Sequence, residues 1–322
     1  MRECYGQMDD DSRVRVSVVI PARDAAAMIG RTVSAACAQQ LDGPFEVIVV
    51  DDGSTDDTAS IAAAAGARVV TNSRPRGPAD ARNAGVAAAT APLIAFTDAD
   101  CIPAPGWLQA GVDALSEADL VQGRVEPEPG VAVGPFDHVI TVREESGLYE
   151  TANLLVRREW FDRVGGFRPF IDPARGHFGE DLVFGWAVRR QGGRSAYAPD
   201  ALVHHEVVKR DAAAWIRERR RLQLFPAAAR EVPELRSRWY LGIFLSRRTA
   251  KLDLALAGAL AALVARRPWL LLLGLPYARA TFQTRQWRRR WVLEQNLAHL
   301  AGDLVGFAAL VKGSIRARRA VL

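Results

Sequence analysis

Two runs of aliphatic and β-branched residues, "VRVSVVIPARD" (14–24) and "FEVIVVDDGSTDDT" (45–58), each end abruptly in charged side chains. Continuous apolar runs of this length, without polar alternation, predict strands buried on both faces, as in a parallel sheet. Between and after them the pattern becomes helical, in "AAMIGRTVSAACAQQ", in the Ala-rich "TASIAAAAG" behind a Thr/Asp cap, and in "PADARNAGVAAAT". "ARVVTN" predicts a third, shorter strand and "PLIAFTDAD" a fourth. Strands alternating with helices predict a parallel sheet covered on both faces, with ligands beyond the carboxyl ends of its strands. Chemistry-bearing residues gather at those ends: Arg23 and Asp24 after the first strand, Asp51 and Asp52 after the second, Asp98 and Asp100 after the fourth.

From about Val207 the texture changes. "LDLALAGALAALVA" (252–265), "WLLLLGLPYA" (269–278) and "LAHLAGDLVGFAALV" (297–311) are apolar segments edged with arginine. Each is shorter than the roughly 20 residues that span a bilayer, and Asp253 and Asp303 interrupt two of them. The first two, broken by "RRP" (266–268), are expected to form a helical hairpin dipping into one leaflet. A basic flank beside an apolar face is the profile of an interfacial helix. A soluble helical cap and true spanning helices are the alternatives. Three regions result: a tail at 1–13, an α/β domain at 14–206, and a helical, Arg-rich, membrane-associating region at 207–322.

Charge sharpens this division. The 322 residues carry a net +5, but from Val207 onward there are 23 Lys+Arg against 7 Asp+Glu, and before it 19 against 30. An acidic front joined to a basic rear suggests two jobs, the rear meeting a phosphate-rich partner, nucleic acid or anionic lipid. Its arginines are interleaved with long aliphatic runs rather than with stacking aromatics, which favours lipid and argues against nucleic acid. The start of the chain, "MRECYGQMDDDSR", lacks the apolar run of a signal peptide, so the first domain is expected in the cytoplasm. Cys4, Cys37 and Cys101 show no metal or redox spacing, and free thiols are expected. No G-x-G-x-x-G follows the first strand and no G-x-x-x-x-G-K-[ST] occurs, which removes the Rossmann and P-loop readings.

"VSVVIPARD", "EVIVVDDGSTDDT", "ADARNAG", "IAFTDADCIPAPGWL", "ANLLVRREWFDRVGGF" and "GEDLVFGWAVRRQGG" occur in that order. Over residues 14–206 the chain therefore resembles family-2 glycosyltransferases of the GT-A fold. The resemblance implies a nucleotide-diphospho-sugar transferase with a mostly parallel sheet and helices on both faces. It also implies a UDP- or GDP-sugar donor and help from Mn²⁺ or Mg²⁺. The chemistry agrees: negative charge grows on a departing diphosphate, and a hard cation on oxygen ligands stabilises it. Asp98 and Asp100 are expected to project to one side of an extended segment. By resemblance Asp100 is the more direct metal ligand, with Asp98 nearer the ribose or a metal-bound water. His205 is implied to complete the metal site or touch the diphosphate, with His204 pointing the other way if the segment is extended.

The resemblance places Asp52 against the nucleobase, where its carboxylate can accept from uracil N3–H or from guanine N1–H and N2–H. Pro21 and Arg23 should line the same pocket, and Arg82 and Asn83 should approach the base or diphosphate. An inverting transfer needs one carboxylate to take the acceptor hydroxyl's proton. The resemblance implies Asp181 as that base, with Glu180 orienting the acceptor or supporting the loop. The same acids also suit a helix N-terminus. Asn153, Arg157, Trp107 and Trp186 are expected on the acceptor side, the tryptophans either stacking on sugar or packing the core.

One departure restricts the function. Processive relatives carry Q-x-x-R-W soon after the catalytic acid, whereas "QTRQWRRRW" (283–291) lacks that order and lies far downstream. The expectation is a non-processive enzyme at the cytoplasmic membrane face, acting on a lipid-linked, cell-envelope or secondary-metabolite acceptor. A nucleotidyltransferase also uses paired aspartates but would carry a Gly-rich basic loop after the first strand, where this chain has "PARDAAAMIG". A catalytically silent nucleotide-sugar binder is a further alternative, against which the acids at 98, 100 and 181 speak.

Overall fold

The computed structural model describes residues 14–168, 178–282 and 290–322, apart from the side chains of 290–292. The tail 1–13, the lead into Glu180 and nearly all of "QTRQWRRRW" lie outside the described residues. The chain divides into two units, one of residues up to Val133 with Val139–Val208, the other of Gly134–His138 with Lys209–Leu322.

In the first unit β1 (Val16–Ala22), α1 (Ile29–Cys37), β2 (Phe45–Asp51), α2 (Thr58–Ala64), β3 (Arg68–Thr71), α3 (Pro78–Ala88) and β4 (Leu93–Thr97) alternate as the pattern requires. Their four strands are parallel in the order β3-β2-β1-β4, with Val18 opposite both Val47 and Ala95. Alternate residues feed opposite faces, Val47 and Val49 packing with α1, and Ile48 and Val50 with α3. Burial on both faces is why these runs show no alternation, and Ser17 and Glu46, polar and buried within them, answer each other at 2.7 Å. On the α3 side a Cβ at Gly85 would lie 2.3 Å from Val19 Cγ1, so only glycine lets this helix sit so close to β1.

Beyond β4 the sheet becomes mixed. β5 (Cys101–Pro103), α4 (Trp107–Ala114), β6 (Leu120–Pro127), β7 (Asn153–Arg157), α5 (Arg158–Val164), α6 (Glu180–Arg190) and β8 (Ser195–His205) extend it to the order β3-β2-β1-β4-β7-β6-β8-β5. β7 runs antiparallel to both β4 and β6, and β5 antiparallel to β8, while β6 and β8 are parallel. The α/β class therefore holds, with a parallel half joined to a mixed one.

The second unit is helical: α7 (Ala212–Glu218), α8 (Phe225–Glu231), α9 (Arg247–Ala265), α10 (Leu275–Thr281) and α11 (Arg290–Ala317), with 3₁₀ turns at Arg219–Leu224, Pro233–Arg238 and Pro268–Gly274. α9 opens on a capping box in which the Ser246 hydroxyl accepts from Thr249 N–H and the Thr249 side chain answers. Around its end, Leu260, Leu263, Val264, Trp269 and Leu272 are exposed, with Arg266 and Arg267 between them. The apolar stretch 297–311 is the middle of a longer helix, because its polar flanks "EQN" and "KGSIRA" continue the helix. Its Leu293–Ala317 part has the length and mean hydropathy, 1.2, of a membrane-crossing segment, with 28% of its apolar window buried. One face of it is packed: a Cβ at Gly302 would lie 2.1 Å from the Trp215 ring. Cys101 is a free buried thiol, as expected, and Cys4 lies outside the described residues.

Candidate active site

The carboxyl ends of β1, β2 and β4 open into a cleft of about 580 Å³. Of the expected residues it brings together Pro21, Arg23, Asp52, Arg82, Asp98 and Asp100 on its lining. The loops above β1 and β2 are tied by short side chains. Asp24, at φ 48°, accepts from Thr55 N–H at 2.8 Å, and its own N–H donates to Ser54 Oγ at 3.0 Å. The "DDGSTDDT" turn thus supplies Asp52 to the cleft lining, and at the start of α2 Asp56 accepts from Thr58 N–H at 3.0 Å while the N-cap Asp57 makes no side-chain bond.

Asp52 is 4% exposed and heavily engaged. It accepts from Asn72 Nδ2 at 2.8 Å, from Arg76 N–H at 3.0 Å and from Gly77 N–H at 2.7 Å. A base donor would have to share an oxygen that already organises the turn into α3. Asn83 is engaged as well. Its amide donates to the Phe167 carbonyl at 2.7 Å and accepts from Phe167 N–H at 2.9 Å. Both polar atoms clamp the chain after α5, a structural role beside the one expected.

Asp98-Ala99-Asp100 is a turn closed by Cys101 N–H on the Asp98 carbonyl at 3.1 Å, not the extended segment expected, because β4 ends at Thr97. The two carboxylates consequently meet different partners. Asp98 Oδ1 accepts from Arg82 Nη2 at 2.6 Å. Asp100 Oδ2 faces His205 Nε2 at 3.7 Å. The pairing of β5 with β8 sets Cys101 opposite His205, and Glu206 N–H donates to the Asp100 carbonyl at 2.9 Å. Burial and the Asp98 charge raise the Asp100 pKa, with His205 working against them. Burial and the same two carboxylates push the Cys101 thiol up.

The donor set fits a divalent cation. His205 is 2% exposed, and its Nδ1 lies 2.7 Å from the Glu206 carbonyl oxygen, which can only accept. With Nδ1 turned to that carbonyl, Nε2 is the ring nitrogen on the Asp100 side, 3.7 Å from Oδ2, where imidazole and carboxylate can approach one cation. Asp100, Cys101 and His205 present ligand atoms within 4.8 Å of one another, and imidazole with carboxylate suits Mn²⁺.

Glu180 and Asp181 occupy the first turn of α6, after Gly179 in the left-handed region. Neither belongs to the cleft lining. Asp181 Oδ1 accepts from Leu182 N–H at 2.8 Å. Burial pushes its carboxyl up to about 7, Glu180 and Glu150 add to that, and Arg82 pulls back. Arg82 thus feels both the metal-side pair and the candidate base.

Three residues expected on the acceptor side lie elsewhere. Trp107 and Asn153 are 0% exposed and bonded to each other, Nε1 to Oδ1 at 2.8 Å. Asn153 also donates to the Arg124 and Ala201 carbonyls at 2.8 and 2.7 Å, pinning β6 and β8 to α4. Arg157 pairs with Leu93 at the far end of β4, and its guanidinium serves the Leu115 and Ala118 carbonyls. All three belong to the scaffold. Trp186 donates to the Gly147 carbonyl at 3.0 Å and packs edge-on to Tyr149. Two residues went unforeseen: Glu206 on the cleft lining and Glu150 near Asp181. Glu206 directly follows the two histidines, a signal available in the sequence; Glu150 had none.

Residues 17–175 match the family described as Glycosyl transferase family 2, and the α/β unit of this chain belongs to that family. The glycosyltransferase AglE of Haloferax volcanii is 33% identical over 168 residues, 47% of this chain and 55% of that protein. The pre-mycofactocin glycosyltransferase of Mycobacterium tuberculosis is 31% identical over 210 residues, 59% of this chain and 42% of that protein. The chain thus spans about half the length of these curated relatives. A mannosyltransferase from Pyrobaculum calidifontis, solved in complex with GDP-Man and Mn²⁺, superposes with a TM-score of 0.63 at 25% identity, covering 93% of this chain and 88% of that one.

Proposed function

We propose that the chain is an inverting, metal-dependent glycosyltransferase. It moves a sugar from a UDP- or GDP-sugar to a lipid-linked, cell-envelope or secondary-metabolite acceptor at the cytoplasmic membrane face. The observation that carries this reading is the pair of carboxylates at the cleft mouth, one on Arg82 and the other opposite His205.

Asp100 and His205 would hold Mn²⁺ or Mg²⁺. Such a cation, when bound, supplies Lewis-acid stabilisation to a leaving diphosphate. Arg82 and Arg23 offer the cleft its positive charge for the donor. Asp181 takes the proton of the acceptor hydroxyl, whose oxygen attacks the anomeric carbon as the bond to the diphosphate breaks. A carboxyl held near pH 7 is matched to that task. The exposed apolar residues at the end of α9, set among arginines, support attachment to an anionic membrane surface. The packed face of α11, with Gly302 against Trp215, favours a surface-lying unit over a spanning one.

The test is hydrolysis of a panel of nucleotide sugars with and without Mn²⁺, beginning with GDP-mannose, which the Pyrobaculum enzyme holds. Metal-dependent release of UDP or GDP from one donor, lost in Asp100→Ala, supports the reading. Metal-independent release, or equal release by the variant, overturns it.

A further inference from the structure

The helical unit contains a polar cavity of about 310 Å³ that sugar transfer leaves unused. Trp215, Arg219, Arg248, Asp253, His299 and Asp303 give it its chemistry. Part of that chemistry is internally settled. Asp303 accepts from Arg248 Nε at 2.8 Å and from the Tyr277 hydroxyl at 2.7 Å. His299 Nδ1 is paired with the Gln295 carbonyl at 2.8 Å.

Two groups are not settled, and they are of opposite kinds. The Arg219 guanidinium lies 4.2 Å from the centre of the Trp215 ring, in a setting where burial opposes its charge. None of its N–H groups meets a hydrogen-bond acceptor among the described residues. Its nitrogens are not among the buried polar atoms lacking a partner, so the five donors of the guanidinium stay open to solvent and to a ligand, with Asp303 and Glu218 supporting its charge. Asp253 shows the reverse: its Oδ2 is buried with no hydrogen-bond partner among the described residues. Burial alone, with no neighbouring charge to offset it, pushes its carboxyl up to about 6.

We propose that this cavity binds a phosphate ester, its phosphate on Arg219 beside the Arg248–Asp303 pair and a hydroxyl or ammonium of its alcohol part on Asp253. An unanswered donor and an unanswered acceptor lining one cavity match a ligand with an anionic end and a donor end. At about 30 Å³ for a water's share of liquid, the space holds roughly ten non-hydrogen atoms, the size of a glycerol phosphate. The ester can come from a lipid head group or from a soluble metabolite. The site is separate from the catalytic cleft, so failure of the nucleotide-sugar panel leaves it untouched.

The experiment is calorimetric titration of the full chain with inorganic phosphate, glycerol 3-phosphate and a monomeric short-chain phosphatidylglycerol. Glycerol 3-phosphate is expected to bind, and Arg219→Gln to weaken it by about tenfold or more, the scale of a charge-assisted pair. Asp253→Leu is expected to weaken glycerol 3-phosphate but not inorganic phosphate. This arm stands even if Arg219→Gln fails to fold, and Arg219→Lys, which keeps a cation beside Trp215, should retain part of the affinity. Tighter binding of the lipid than of glycerol 3-phosphate assigns a head group; equal binding assigns a soluble ester. No binding of any probe, or equal binding by native chain and Arg219→Gln, overturns the proposal.

Discussion

Arg82 Nη2 lies 2.6 Å from Asp98 Oδ1, with the arginine side chain 7% and the aspartate side chain 23% exposed. The asymmetry has an energetic consequence. Removing the aspartate strands a buried cation, whereas removing the arginine leaves a carboxylate that water can still reach. Asp98→Ala should therefore destabilise the α/β unit by about 3 kcal/mol, the lower end for breaking a buried pair, and Arg82→Ala by clearly less. Urea unfolding of the two variants checks the order, and a reversed order would mean that Asp98 is not the partner of Arg82.

Asp181 ties activity to pH. Its carboxyl sits at about 7 in the folded chain, above the ordinary 3.8. A base must be deprotonated, so kcat/KM should rise with pH through about 7 and then level. Stability should run the other way. The folded state holds a proton that the unfolded state has released, so the contribution of this group falls as pH rises from about 4 to 7. Asp181→Asn should lower kcat by about 10²–10⁴ with donor KM little changed, and should flatten that part of the stability curve. A variant that keeps the native pH–rate profile would remove Asp181 from the reaction.

The first half of the fold was legible because β1, β2 and β4 are buried on both faces and local composition states it. Val47 to Val50 supply both cores in turn, and nothing polar interrupts them. β6, β7 and β8 were less legible, since their places depend on distant partners such as Thr97 opposite Asn153. The same non-locality explains the scaffold residues read as contacts. A polar Asn or Arg among apolar neighbours looks exposed to a ligand, yet Asn153 and Arg157 spend their donors on carbonyls from strands and helices far along the chain. Asp100 and His205 could be placed together only through the motif order, because 105 residues separate them and the β5–β8 pairing brings them face to face.

Asn153 offers a clean separation of scaffold from site. Its amide answers Trp107, Arg124 and Ala201 from inside the core. Asn153→Ala leaves two carbonyls and an indole N–H without partners, each costing about 1–3 kcal/mol. The melting midpoint should fall steeply while the KM values of the folded fraction stay near native. A raised acceptor KM without loss of stability would restore it to the acceptor side.

Membrane attachment has its own test at the end of α9. Leu263 and Val264 are 77% and 76% exposed, and Trp269 is 58% exposed. An aliphatic side chain of this size contributes about 1.5–3 kcal/mol when it leaves water, and each nearby arginine about 1 kcal/mol against an anionic leaflet. Leu263→Glu with Trp269→Glu should therefore abolish co-sedimentation with phosphatidylglycerol vesicles at physiological salt. Raising the salt alone should only weaken it, because the apolar contribution is not screened. Both substitutions lie in the helical unit, so metal-dependent donor hydrolysis by the α/β unit should survive them. Vesicle binding unchanged by the double substitution would show that this tip does not enter the bilayer.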